Sequence, residues 1–200
     1  MTVIMHAVVS VDGYIAYHDD LPGHLFDWYA NGEVAVLGGG ARISRASADY
    51  CLPIWDRVGV IVMGRHLFDF VNGWEGRPPA GEHVVVVSHR PKPAGWHPEA
   101  AYHFAPSVEA GIATAKQLAG DRLVSVCAGD VGGQALAAGL VDEVAMDVAP
   151  VVLGRGKPFF GSYAGSMLLD DPIDVVRGDR VLHLRYRVRG PADDDHTPAI

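Results

Sequence analysis

The chain has 200 residues, 49% hydrophobic and 20% charged, which suits one folded domain with its own core and excludes a disordered protein. Its 16 basic and 24 acidic residues give a formal charge of −8, which argues against a general nucleic-acid binder, because phosphate backbones need clustered Lys and Arg. No apolar run reaches the roughly 18 residues of a membrane helix, the opening MTVIMHAVVS lacks the marks of a secretory leader, and Cys51 and Cys127 form no C-x-x-C pair, so a cytoplasmic protein away from membranes is expected.

Residues 2–9, TVIMHAVV, predict a buried strand, ended by the turn chemistry of Ser10–Val11–Asp12–Gly13. Residues 24–30 suit a short helix. The Gly- and Ser-rich stretch 31–47, with Gly38–Gly39–Gly40, reads as a loop, and Pro53 leaves open where any helix before Arg57 starts. Strands are predicted over 58–63 and 83–88, with a short helix over 65–71 between them, and over 101–105. Ser107 is the candidate N-cap of a helix running to Ala119, with Val108, Ile112, Ala115 and Ala119 on one face and Gly120 as its stop. A strand over 122–127 follows, then a helix capped by Asp130 and ending at Gly139, then a strand over 143–149. Segments 173–177 and 181–189 pair as a closing antiparallel hairpin, and the polar tail 190–200 reads as disordered. Strands alternating with helices predict one three-layer α/β/α domain over 1–189, with a mixed, mostly parallel sheet.

Ligands of open α/β sheets bind outside the carboxyl ends of the strands, and three such ends carry suitable chemistry. At the first, Gly64 lets a ligand approach the backbone, Arg65 can fork onto a phosphate, and His66 stands beside it. The second offers Ser88, His89 and Arg90. The third, Ala128–Gly129–Asp130–Val131–Gly132, is small enough for a diphosphate to sit against a helix N-terminus. Each alone also reads as an ordinary turn; in succession, one extended dinucleotide explains them better. No G-x-G-x-x-G, Walker A or G-x-S-x-G pattern is present. The histidines lack paired metal-ligand spacing, so no metal is expected.

On the substrate side, Asp27 can accept hydrogen bonds from ring N–H groups while Trp28 stacks on a flat heterocycle; an exposed carboxylate beside a core Trp is the alternative. Asp12 is either a polar contact for the substrate or a turn residue before Gly13. Phe159 and Phe160 wall a pocket or anchor the core. Arg42 and Arg45 grip an anionic substrate such as a ribosyl phosphate or are solvated loop charges.

The segment VGVIVMGRHLFDFVNGWEGRPPAGEHVVVVSHRPKP resembles the cofactor-binding stretch of dihydrofolate reductase, and MHAVVSVDGYIA resembles that family's first strand and active-site loop. AGDVGGQALAAGLVDEVAMDVAPVVLGRGKPFF resembles more closely the reductase domain of riboflavin biosynthesis, the C-terminal part of the bifunctional deaminase-reductase, and its stand-alone relatives. The resemblance spans roughly residues 2–189. It implies a dihydrofolate reductase-like fold, a homodimer, and NADPH-dependent hydride transfer to a pterin, pyrimidine or ribosylamino-pyrimidine, of the 5-amino-6-(5-phosphoribosylamino)uracil reductase type. By position, Arg65 and the Ser88–Arg90 loop would hold the adenosine 2′-phosphate, Gly64 and Gly129–Gly132 would face the diphosphate, and Ala7 and Ile15 would pack on the nicotinamide. The family's pterin-anchoring carboxylate aligns with His24 or Leu25, with Asp27 nearby. The alternatives are a non-catalytic nucleotide- or flavin-binding module on the same fold and a protein that docks a partner through LFDWY.

Overall fold

The computed structural model describes residues 1–189; the tail expected from Gly190 lies outside the described residues. The chain opens with β1 (Val3–Ser10) and β2 (Tyr14–Ala16), followed by a 3-10 segment, Gly23–Tyr29. β3 (Val34–Val36) and β4 (Ala41–Ile43) make a small antiparallel hairpin that leads into α1 (Arg45–Trp55). Next come β5 (Val58–Gly64), α2 (Arg65–Phe70), β6 (His83–Val87), β7 (Tyr102–Ala105) and α3 (Val108–Ala119). The last elements are β8 (Leu123–Cys127), α4 (Asp130–Ala137), β9 (Glu143–Ala149), β10 (Lys157–Pro158), β11 (Asp174–Gly178) and β12 (Val181–Arg187).

Eight strands form the main sheet, in the order β11-β12-β9-β1-β8-β5-β6-β7. From β9 to β7 all neighbours pair parallel, and β12 and β11 add antiparallel pairings at one edge. This is the mixed sheet with a closing hairpin that the sequence predicts. β5, and β1 apart from His6 and Ser10, are apolar on both faces because helices cover both. Val3, Met5 and Val9 point one way, into a core with Ile112 and Ala115 of α3 and Leu136 of α4. Ile4 packs on the other face with Ile61, Met63 and Phe68 of α2, and Val8 packs there with Ala48 and Cys51 of α1. Ser107 caps α3 by accepting from the Ala110 N–H at 3.2 Å, and Gly120 ends it at φ +58°.

Several local expectations change. The 31–47 stretch is the β3–β4 hairpin running into α1, because Val34, Val36 and Ile43 find a hydrophobic core cluster to face. α1 starts after Ser44, whose hydroxyl accepts from the Ser47 N–H, and it contains Pro53 in its last turn. Asp130 does not cap α4. Gly129 is the N-cap, and the Asp130 carboxylate accepts instead from the Ser162 N–H at 2.9 Å.

Candidate active site

The parallel register carries the ends of β6, β5 and β8 to one edge of the sheet, side by side. With strands about 4.8 Å apart, the stretch from β6 across β5 and β8 to β1 is about 14 Å long, the scale of an extended dinucleotide. At its β6 end, Arg65 and Arg90 converge on Asp69: Arg65 Nε donates to Oδ1 at 2.7 Å and Arg90 donates to Oδ2 at 2.8 Å. Loss of hydration is the largest single influence on the Asp69 carboxylate and raises its pKa, but the hydrogen bonds and charges of the two guanidiniums together outweigh it and hold the pKa below the ordinary value. Arg65 is further fixed by a bond to the Pro91 carbonyl at 3.2 Å. Ser88 shapes the turn, its hydroxyl accepting from Arg90 N–H at 2.9 Å and donating to Arg90 C=O at 2.8 Å.

In the middle, a Cβ on Gly64 would lie 3.0 Å from the Val131 side chain, so glycine keeps the β5 end open toward α4. Gly129 has φ +91° and ψ −152°, a backbone region open essentially to glycine, and it turns β8 into α4, whose first turn has no side-chain cap and has the Gly161 backbone close beside Asp130. Ile15 reaches to 3.4 Å of where a Gly129 Cβ would stand, and Ala7 faces the same core. Two guanidiniums, an open glycine edge, a helix N-terminus and an apolar wall therefore follow one another in the order that a phosphorylated dinucleotide requires.

The sheet also opens at this edge. β1 pairs β8 only from Val3 to His6, but pairs β9 from Ile4 to Ser10. Residues 7–10 of β1 thus have no β8 partner beside them, a gap in strand pairing and not in packing, since Val8, Val9 and Ser10 are buried. On the α1 face of that gap lies a polar relay that the sequence analysis did not single out. Asp147 on β9 is 2% exposed, and its carboxylate is held between two imidazoles: His6 Nε2 at 2.9 Å and His183 Nδ1 at 2.6 Å. His183 Nε2 meets the Ser47 hydroxyl at 2.9 Å, and Ser44 donates to Ser47 at 3.1 Å. Burial raises the Asp147 pKa, but the His6 charge and the bonds from both imidazoles outweigh it and hold the group far below the usual carboxylate range. Burial also lowers the His6 pKa, while Asp147 raises it by charge and hydrogen bond, with a net upward shift. A cavity of about 40 Å³, room for a water or two, lies against His6, Asp147, Tyr50, Cys51, Ser125 and Arg185. The signal for this relay was polar residues inside apolar strands: His6 in IMHAVV, Asp147 in EVAMDVA and His183 in VLHLR. Register alone brings them together, with Asp147 opposite both Val8 and His183.

The model of the RibD C-terminal domain family matches residues 1–171. The chain belongs to that family. No curated protein sequence matches the chain. Among solved structures, the "putative riboflavin biosynthesis protein" of Shewanella sp. PV-4 is 21% identical with a TM-score of 0.69, over 95% of this chain and 100% of that one. A diaminohydroxyphosphoribosylaminopyrimidine deaminase/5-amino-6-(5-phosphoribosylamino)uracil reductase from Thermotoga maritima is 15% identical with a TM-score of 0.61, over 94% of this chain. This chain spans only 56% of the length of that one. Dihydrofolate reductase from Enterococcus faecalis, complexed with NADP(H), is 15% identical with a TM-score of 0.59, over 94% and 97% of the two chains. These likenesses establish a dihydrofolate reductase-like fold.

Within this RibD C-terminal domain, several expected site residues have other work. Trp28 is 1% exposed, sits in the core against Tyr29 and His183, and has no free face for a heterocycle. Phe159 is also buried, and Phe160 packs against the same core. The Asp12 carboxylate accepts from the Ser10 hydroxyl and from the N–H groups of Leu153 and Gly154, and its pKa is lowered, first by Ser10. It ties the β1 turn to the loop after β9. Asp27 is exposed and paired with His24 at 2.9 Å. Arg42 donates to the Gly32 and Glu33 carbonyls, and Arg45 takes a Glu33 carboxylate on its N–H, so both serve the hairpin and the start of α1. His66 turns from the phosphate end to Asp20 at 2.7 Å and Lys157 at 2.7 Å. His89 is exposed on the β6 turn. Among the described residues, no helix is long and apolar enough to cross a membrane.

Proposed function

We propose that this domain is an NADPH-dependent reductase acting on a ribosylamino-pyrimidine or related heterocycle, of the 5-amino-6-(5-phosphoribosylamino)uracil reductase type. The observation that carries the reading is the adjacency of Arg65, Arg90, Gly64 and Gly129 along one sheet edge. When bound, NADPH supplies a hydride to a C=N or C=O carbon. Arg65 and Arg90 bind the 2′-phosphate, exchanging part of their pairing with Asp69 for it. The N-terminus of α4 receives the diphosphate, while the Asp130 carboxylate is kept aside by Ser162. Ala7 and Ile15 form the flat wall that orients the nicotinamide at the gap beside β1. The substrate approaches from the α1 side of the gap, where the remaining polar groups lie. The acting form is a homodimer in the cytoplasm.

The test is NADPH consumption, followed by absorbance, with 5-amino-6-(5-phosphoribosylamino)uracil and with dihydrofolate. Oxidation that needs the uracil supports the reading. Binding of NADPH with no turnover on either compound, and on no ring-opened ribosylamine, would favour a binding module.

A further inference from the structure

We propose that His6 is the proton donor of this site, with Asp147, His183 and Ser47 as the residues that position it. The proposal rests on the reductase reading and adds the group that completes the chemistry.

The relay has a direction. Ser44 donates to Ser47, Ser47 to His183 Nε2, and His183 Nδ1–H to Asp147 Oδ1. From the other side, His6 Nε2–H donates to Asp147 Oδ2. Every member of that chain is satisfied, and among the described residues one ring nitrogen is left over, Nδ1 of His6. The His6 side chain keeps 30% of its exposure, while Asp147 keeps 3% and His183 none. The relay is thus sealed at one end and open at the other. The open end adjoins the cavity lined by Ile4, Ile54, Trp55, Ser125 and Arg185, and His6 is the last β1 residue paired with β8, so that the next residue, Ala7, begins the free edge.

Other candidate donors are committed or unsuited. Asp12 is saturated by a hydroxyl and two backbone N–H groups, and Asp27 is exposed beside His24. Burial pushes the Cys127 thiol up to about 12 and raises Cys51 and Tyr50 further, so none of them gives up a proton near neutrality. Groups facing His6 from the packed elements are Asp147 of β9, His183 and Arg185 of β12, Tyr50 and Cys51 of α1, and Ser125 of β8. Arg185 is neutralised by Asp174 and Glu143, so Asp147 is the charge that governs the ring. Stability alone does not call for such a relay, because apolar residues of similar volume commonly replace buried ion pairs without loss.

The carbon of the C=N or C=O bond takes the hydride and its two electrons from the reduced nicotinamide, which leaves oxidised. The π pair moves onto the nitrogen or oxygen, and that atom takes the proton from His6 Nδ1. His6 is left neutral, with Nε2–H still on Asp147, and water from the adjoining cavity returns the proton.

Two readouts test this. In the cofactor-free protein, NMR of the His6 ring proton should show titration above the ordinary histidine value, lower in Asp147→Asn, and displaced when 5-amino-6-(5-phosphoribosylamino)uracil is added. In turnover, His6→Gln should keep NADPH affinity within twofold, lose about 10²–10³-fold in kcat, and lose the fall in rate above the His6 pKa. A merely structural His6 would change stability and leave the pH profile in place. His6→Gln with wild-type kcat and an unchanged alkaline limb overturns the proposal while leaving the reductase reading intact. Wild-type protein that binds no NADPH overturns the reading, and the proposal with it. Should His6→Gln fail to fold, a wild-type His6 resonance unmoved by the uracil compound overturns the proposal.

Discussion

Replacing Asp147 by Ala should be among the most damaging single changes in the protein, and its cost should depend on pH. The carboxylate is almost wholly buried and takes bonds at 2.9 and 2.6 Å from two imidazoles, one of them fully enclosed. Truncation leaves the His183 N–H buried without an acceptor and removes the anion that faces His6. Breaking a buried pair by deleting one partner costs about 3–5 kcal/mol. The pH dependence follows from the two shifts. The folded His6 pKa lies above its ordinary 6.5, so its stabilisation is complete below 6.5 and is lost as pH rises through the folded value. The folded Asp147 pKa lies below its ordinary 3.8, so its share is present above 3.8 and lost as pH falls through the folded value. The pair therefore stabilises most between those ordinary values. Urea unfolding of wild type and Asp147→Ala at pH 5.5 and pH 9 should give the larger difference at pH 5.5. A difference below about 1 kcal/mol, the size of an ordinary hydrogen bond, or one equal at the two pH values, would refute the relay as a coupled charge network.

Three further outcomes follow from the geometry. Asp69→Asn removes the anion between Arg65 and Arg90 and should tighten NADPH relative to NADH several-fold, more at low than at high salt, as read by fluorescence titration. Gly129→Ala should cost about 1–3 kcal/mol in urea unfolding, because φ +91° with ψ −152° strains any side chain while the added methyl meets Ile15 only at ordinary contact distance. Trp28 carries a buried Nε1–H with no partner among the described residues, so Trp28→Phe removes an orphaned donor and should cost less than about 1 kcal/mol, against about 3–5 kcal/mol for Trp28→Ala.

Most of the strands, and the corners at Gly64, Ser88 and Gly129 where three of them end, were legible in the sequence because they depend on local signals. Apolar runs ending in Gly64, Ser88 and Gly129 state both where a parallel strand stops and where backbone groups become free. The substrate side was not legible in the same way. Asp27 and Trp28 stand out as an acid beside an aromatic, but Trp28 is drawn into the core because Leu25 and Ile43 join it in one buried cluster. The 31–47 stretch looks like a linker by composition, and only tertiary contact turns Val34, Val36 and Ile43 into a hairpin. His6, Asp147 and His183 are 141 and 36 residues apart along the chain, pairwise through Asp147. Each looks like an interruption of a strand until the register of β1, β9 and β12 sets them side by side.

The most direct test of the account is calorimetric titration of the protein with NADPH and with NADH, repeated for Arg65→Ala. NADPH should bind at least about tenfold more tightly than NADH, since charge-assisted bonds to the 2′-phosphate contribute about 1.5–3 kcal/mol each, and Arg65→Ala should erase most of that preference while changing NADH little. No heat with NADPH, or equal weakening of both dinucleotides in Arg65→Ala, would contradict it.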